Sequence, residues 1–237
     1  MAIALVTGGT RGIGYAVAQA LLARGDSVVV TGTSDDSAQR AEKALATAAN
    51  DSTRVMGVTC DVRDRAAVQR AVATVVQRFG GLDVLVNNAG VGVGAPIAAL
   101  APEEWHRLID INLTGVFHCC QAAIEPLKVR GGGWIINVSS LAGKNPFAGG
   151  AAYCATKAGV DAFSEALMQE LRYDGIRVAY VCPGSVATGF SGRTPEAGAE
   201  WKLHPDDVAR VIVDLLSHPP RSLPSRIEIR PSQPPRK

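Results

Sequence analysis

Seven short runs of aliphatic and β-branched residues recur along the chain, nearly all separated by a longer stretch of helical periodicity. This alternation limits the fold more than any other feature. The runs are Ile3–Thr7, Ser27–Thr31, Arg54–Thr59, Val84–Asn87, Trp134–Val138, Arg177–Val181 and Arg226–Ile229. Each is brief and free of internal proline, as strands buried on both faces are. The amphipathic stretches lie near 12–25, 36–49, 64–79, 102–128, 151–173 and 205–217, with Pro102 and Pro205 where a first helical turn accepts proline. The rhythm predicts an α/β chain: a doubly wound parallel sheet of about seven strands with helices on both faces. The 237 residues suit one domain spanning 1–237, with no repeat or linker and a Pro-rich, basic tail over 230–237 as a loosely held end.

Composition narrows the function classes. A net charge of +2 gives no footprint for nucleic acid or a membrane surface. Five cysteines, Cys60, Cys119, Cys120, Cys154 and Cys182, are odd in number and form no C-x-x-C pair, so they read as small buried hydrophobes in a reducing compartment. His106, His118, His204 and His218 lack metal-ligand spacing, and no metal site is expected. The opening run Ala2 to Val6 is too short for a signal-peptide core, and no stretch reaches membrane-spanning length. The expected location is the cytoplasm.

Thr7-Gly8-Gly9-Thr10-Arg11-Gly12-Ile13-Gly14 joins the first strand to the first helix. Glycines at 8, 12 and 14 permit a tight turn, close backbone approach to a diphosphate, and close contact between helix and sheet. The helix N-terminus offers free N–H groups to phosphate, so the turn predicts dinucleotide binding in a Rossmann-type unit. After the second strand the chain reads Thr31-Gly32-Thr33-Ser34, with no carboxylate before Asp35. Arg11, Thr33 and Ser34 suit a 2′-phosphate, which favours NADP(H) and leaves NAD(H) possible; Asp35 and Asp36 weigh the other way if their loop folds inward.

Tyr153 and Lys157 stand one helical turn apart, and Ser140 lies thirteen positions before the tyrosine, just after a strand run. Phenol and ammonium on one helix face make the tyrosine a usable proton donor or acceptor, because the cation favours phenolate. Ser140 would hold the reacting oxygen. Its neighbour Ser139 is expected to point into the sheet, since consecutive strand residues face opposite ways.

With these residues in place, the chain resembles the short-chain dehydrogenase/reductase family over about residues 2–217. The likeness rests on the Thr7–Gly14 turn, Asp61-Val62, Asn87-Asn88-Ala89-Gly90, Asn112, Ser140, Tyr153 with Lys157, and Pro183-Gly184. It implies that Tyr153 is the acid in reduction and the base in oxidation, and that Ser140 polarises the substrate oxygen. Lys157 would lower the tyrosine pKa and hold the nicotinamide ribose. Asn112 would anchor a water leading from Lys157 to solvent, although its place within a helical pattern fits a local kink equally well. Asp61 and Val62 would border the adenine, with Asn87, Ala89 and Gly90 along the middle of the cofactor. Pro183, Gly184, Val186 and Thr188 would flank the nicotinamide. The chain departs from the family at its end, where Ile227-Glu228-Ile229-Arg230-Pro231 replaces a Val-Asp-Gly-Gly type loop.

The expected function is hydride transfer between NADP(H) and a small carbonyl or secondary alcohol, with Leu141, Phe147, Ser185 and Phe190 as pocket walls and Val91 to Pro96 as another. The segment 184–204 would form a lid. An alternative is a 3-oxoacyl-carrier-protein reductase using Lys128, Arg130 and Arg172 as a basic rim. A non-catalytic nucleotide-binding regulator is the third reading. The resemblance implies a homodimer or homotetramer, and the alanines of 151–173 would permit close helix approach across a two-fold axis.

Overall fold

The computed structural model describes residues 1–190 and 199–235. Seven parallel strands form one sheet: β1 (Ile3–Val6), β2 (Ser27–Gly32), β3 (Val55–Thr59), β4 (Val84–Asn87), β5 (Gly133–Val138), β6 (Ile176–Pro183) and β7 (Arg226–Ile229). Their spatial order is β3-β2-β1-β4-β5-β6-β7. The helices are α1 (Gly12–Ala23), α2 (Asp35–Ala49), α3 (Arg65–Phe79), α4 (Pro102–Ile109), α5 (Gly115–Val129), α6 (Ala151–Leu171) and α7 (Pro205–Leu215).

Strand alternation sends side chains into two cores. Ala4 and Val6 of β1, Val84 and Val86 of β4, and Ile136 of β5 face one layer, with buried side chains from α1, α2 and α7. Ile3 and Leu5, Leu85 and Ile135 face the other, with α3, α5 and α6. Both faces are covered, and this is why the strands read as continuous apolar runs.

One expected element divides. The stretch read as a helix over 102–128 is α4, a π-helical turn over Asp110–Thr114, and α5. The kink expected around Asn112 is thus one widened turn, which re-aims the side chains it carries. Pro102 and Pro205 each sit in a first helical turn.

Candidate active site

The sheet order reverses direction between β1 and β4, so neighbouring connections leave to opposite faces and open a crevice at the strands' C-terminal ends. Six strands deliver their ends to one cavity there, about 620 Å³ in volume.

At the end of β1, Gly8, Thr10, Arg11, Gly12 and Ile13 line the cavity. Gly8 has φ +62°, and a Cβ there would stand 2.8 Å from the Ala89 Cα. Only glycine lets these two loops touch. Gly14 does not line the cavity; a Cβ on it would fall 2.6 Å from the Gly8 carbonyl oxygen, so its smallness closes α1 onto the turn. The N-terminus of α1 has no capping side chain and no acidic residue in its first turn. Its positive end is therefore left for an anion.

Thr33 lines the cavity at the end of β2, but Ser34 does not. Ser34 Oγ instead accepts the Ser37 N–H at 3.3 Å and caps α2, which corrects its expected role. Neither nearby acid lines the cavity: Asp35 accepts a hydrogen bond from Thr59 and Asp36 pairs with Arg40 at 2.6 Å. Asp61 and Val62 do line it, with Arg63 beside them. Arg63 grips Asp61, with Nη2 2.6 Å from Oδ2, and this hydrogen bonding holds the carboxyl below its usual range.

At the end of β4 the expected pair of asparagines exchanges roles. Asn87 is buried away from the cavity, donating to Asn137 Oδ1 at 2.8 Å and to Cys120 Sγ at 3.2 Å. Asn88 lines the cavity, and its amide donates to the carbonyls of Thr7 and Gly8, both at 3.0 Å. It ties the glycine turn to the β4 loop, where Ala89, Gly90 and Val91 also line the wall. Asn112 is fully buried behind that loop: Oδ1 accepts the Val91 N–H at 2.8 Å, and Nδ2 donates to Val91 O at 2.8 Å and Thr156 Oγ1 at 3.2 Å. Its amide braces Val91 against α6.

Tyr153 and Lys157 face the cavity from the first turns of α6, and Ser140 from the end of β5. Lys157 Nζ lies 5.9 Å from the Tyr153 ring centre and donates to Val138 O at 2.9 Å. Burial lowers the Lys157 pKa to about 8, against the pull of Asp161. Burial also raises the Tyr153 phenol above its ordinary value, with the neighbouring Ser140 hydroxyl pulling down. At the phenol desolvation thus outweighs the neighbouring hydroxyl. Ser139 directs its hydroxyl to Asp161 and to the Lys157 carbonyl, so the two serines diverge.

Pro183, Gly184, Ser185, Val186, Thr188 and Phe190 close the cavity on the β6 side, and the Phe190 ring lies 6.0 Å from that of Tyr153. Leu141 and Phe147 are not brought to it: Leu141 packs toward Gly184, and Phe147 is 55% exposed and lies over Gly150. Part of the expected lid, residues 191–198, lies outside the described residues. Asn88, Arg63 and Ile111 line the wall without having been expected there, and Ala199 and Lys202 of the expected lid segment line it too. Among the described residues no cluster of His, Cys, Asp or Glu could hold a metal ion, and no helix is long and apolar enough to cross a membrane.

A parallel sheet with its crevice at the order reversal, a glycine turn on an open helix end and a half-buried tyrosine beside a buried lysine together define a nucleotide-dependent oxidoreductase architecture. The profile of the short chain dehydrogenase family matches residues 2–198, and the chain belongs to that family. It is 36% identical over 224 residues to a 3alpha-hydroxysteroid dehydrogenase of Mediterraneibacter gnavus, covering 91% of this chain and 89% of that one. It is 42% identical over 199 residues to a monensin polyketide synthase putative ketoacyl reductase of Streptomyces virginiae, covering 83% and 75%. An alcohol dehydrogenase from the archaeon Thermococcus sibiricus complexed with 5-hydroxy-NADP superposes with a TM-score of 0.91 at 30% identity, over 100% of both chains.

Proposed function

We propose that this protein is an NADP(H)-dependent carbonyl reductase in which Tyr153 is the proton donor, Ser140 binds the substrate oxygen, and Lys157 holds the cofactor ribose and the tyrosine. The observation that carries this reading is the convergence of Ser140, Tyr153 and Lys157 on the same cavity as the Gly8–Gly12 turn. The cradle fits a dinucleotide diphosphate: Gly8, Thr10, Arg11 and Gly12 line the cavity, and the helix end behind it is uncapped. When bound, NADPH supplies the hydride. Ser140 then orients the carbonyl, and Tyr153 gives its proton to the oxygen as negative charge develops there. The phenol holds its proton at neutral pH and so stands ready as the donor. In alcohol oxidation the same phenol must first lose that proton, so the reverse reaction calls for higher pH.

Arg11 and Thr33 support NADP(H) over NAD(H), since both line the cavity while Asp35 and Asp36 are engaged elsewhere. The 5-hydroxy-NADP in the archaeal alcohol dehydrogenase complex agrees with that choice. Carrier-bound 3-oxoacyl groups are the second reading, favoured by the likeness to a ketoacyl reductase. Against it, Lys128 pairs with Asp174 at 2.8 Å and Arg130 pairs with Asp83 at 2.8 Å, so two of the three charges of the expected rim are neutralised, while Arg172 donates to the uncharged Gln169. Ala151, Ala155, Ala158, Ala162 and Ala166 are all exposed along α6, in keeping with a homodimer or homotetramer, which gel filtration distinguishes. Five free buried cysteines are in keeping with action in the reducing cytoplasm.

The deciding experiment is a panel of small ketones, 3-oxoacyl thioesters and carrier-bound acyl chains, assayed with NADPH and NADH side by side. NADPH should be preferred, and better use of NADH overturns the reading of Arg11 and Thr33. Salt-sensitive turnover confined to carrier-bound chains selects the second reading.

A further inference from the structure

Behind the lysine lies a buried carboxylate that the proposed chemistry does not use. Asp161 stands four residues after Lys157 on α6, so the two project one turn apart on one side of the helix. Asp161 is 7% exposed. Its Oδ1 accepts a hydrogen bond from Ser139, whose hydroxyl also lies 3.3 Å from the Lys157 carbonyl oxygen. Its Oδ2 is buried with no hydrogen-bond partner. A Cβ at Gly143 would come within 3.0 Å of that oxygen. A half-satisfied buried carboxylate is costly, and a neutral side chain would remove most of that cost. The ammonium of Lys157 is nearly as deep, at 6% exposure, and donates to one protein carbonyl, that of Val138. The charge of each acts on the other across one helical turn, although the cation nearest to Asp161 is Lys144.

We propose that Asp161, clamped by Ser139, is a positioning residue that keeps Lys157 in its ammonium form. The inference rests on the role given to Lys157 in the proposed reaction. Burial pulls the lysine pKa down to about 8 and the Asp161 charge opposes that fall. Other groups face the pair. Tyr153 lies on the lysine side. Lys144 Nζ stands 4.0 Å from Asp161 Oδ2, and the Cys182 thiol of β6 lies 3.9 Å from Oδ1. Arg226 of β7 acts on Asp161 from farther off, and Tyr180 of β6 donates to Glu165 at 2.6 Å beside them. Burial raises the Asp161 pKa, and the Ser139 hydrogen bond with the charges of Lys144, Lys157 and Arg226 opposes that rise in favour of the carboxylate. With the anion removed, the largest opposition to desolvation of the lysine is gone, and its proton leaves at lower pH.

The test is NADPH binding to the full chain, followed by nucleotide fluorescence from pH 6 to pH 9.5. The native protein should lose affinity on the alkaline side with a midpoint near about 8. Asp161→Asn should move that midpoint down by about one pH unit, and Ser139→Ala should move it the same way by less. If Asp161→Asn fails to fold, Ser139→Ala decides alone. A role confined to stability lowers the melting temperature and leaves the midpoint in place, and that result overturns the proposal. Lys157→Met in the same titration separates the two layers of inference. An alkaline limb that vanishes in Lys157→Met but is unmoved in the Asp161 and Ser139 variants sinks the inference alone. A limb that survives Lys157→Met sinks the lysine's role and the inference together.

Discussion

The glycine turn and the Tyr153–Lys157 corner share one cavity but are built on opposite principles. At the turn the chain works by omission: Gly8 clears the Ala89 backbone, Gly14 clears the Gly8 carbonyl, and α1 begins without a cap. At the other end it works by inclusion, burying Lys157, Asp161, Ser139 and Asn112 beside the sheet. Errors at the first site are steric. At the second they are electrostatic, because every buried polar group there needs a partner or shifts its pKa. One end fixes where a cofactor can lie, and the other fixes which protonation states the chemistry meets.

Four substitutions probe that contrast. The largest effect is expected from Tyr153→Phe, which removes the proton and little else; turnover should fall by about 10²–10⁴ while NADPH affinity changes little. Unchanged turnover on every reducible carbonyl would dismiss the tyrosine as the acid. Gly8→Ala should act the other way round, through binding. Its Cβ would meet backbone at 2.8 Å from a positive φ, and stability should fall by about 1–3 kcal/mol, with NADPH affinity falling too, by calorimetry. Arg11→Ala should weaken NADPH binding by about tenfold and leave NADH binding nearly as it was. Equal losses for both nucleotides would place Arg11 on the diphosphate instead. Lys157→Met should slow turnover by less than Tyr153→Phe does and should change how the melting temperature depends on pH.

The sign of that last change follows from linkage. Lys157 has a folded pKa of about 8 against an ordinary value of 10.5. Below pH 8 both states carry the proton and the fold bears the full penalty of the buried ammonium; between 8 and 10.5 the unfolded chain binds more protons, so native stability rises with pH. Lys157→Met, which carries no such proton, should lack that rise between pH 8 and 10.5. A variant that keeps the rise would assign it to another group.

The strands were legible because burial on both faces leaves an uninterrupted apolar signature, and all seven fall where the runs do. The residues of the site were legible where a motif is contiguous, as in the glycine turn, or where spacing on one helix fixes a shared face, as for Tyr153 and Lys157. Legibility failed where a strand becomes a loop. Asn87 ends β4 and Asn88 begins the loop, so which one reaches the cavity depends on a boundary that periodicity locates only to within a residue or two. Ser34 was drawn away by a helix cap. Arg63, Ala199 and Lys202 arrive from irregular segments, where no period says which way a side chain points. The phenol pKa depends on tertiary burial, which spacing on a helix does not report.

The π-turn over Asp110–Thr114 carries one residue more than a regular helix would need. Removing one residue there would let α4 and α5 run on as a single unbroken α-helix with better hydrogen bonding. It would also swing everything upstream by about 100° around the axis, since a helix turns once in about 3.6 residues. Asn112 would lose register with Val91 and Thr156, and the β4 loop would lose the brace that holds one wall of the cavity. At this point the chain gives up local regularity for aim, and a shorter, more regular helix would make a poorer enzyme.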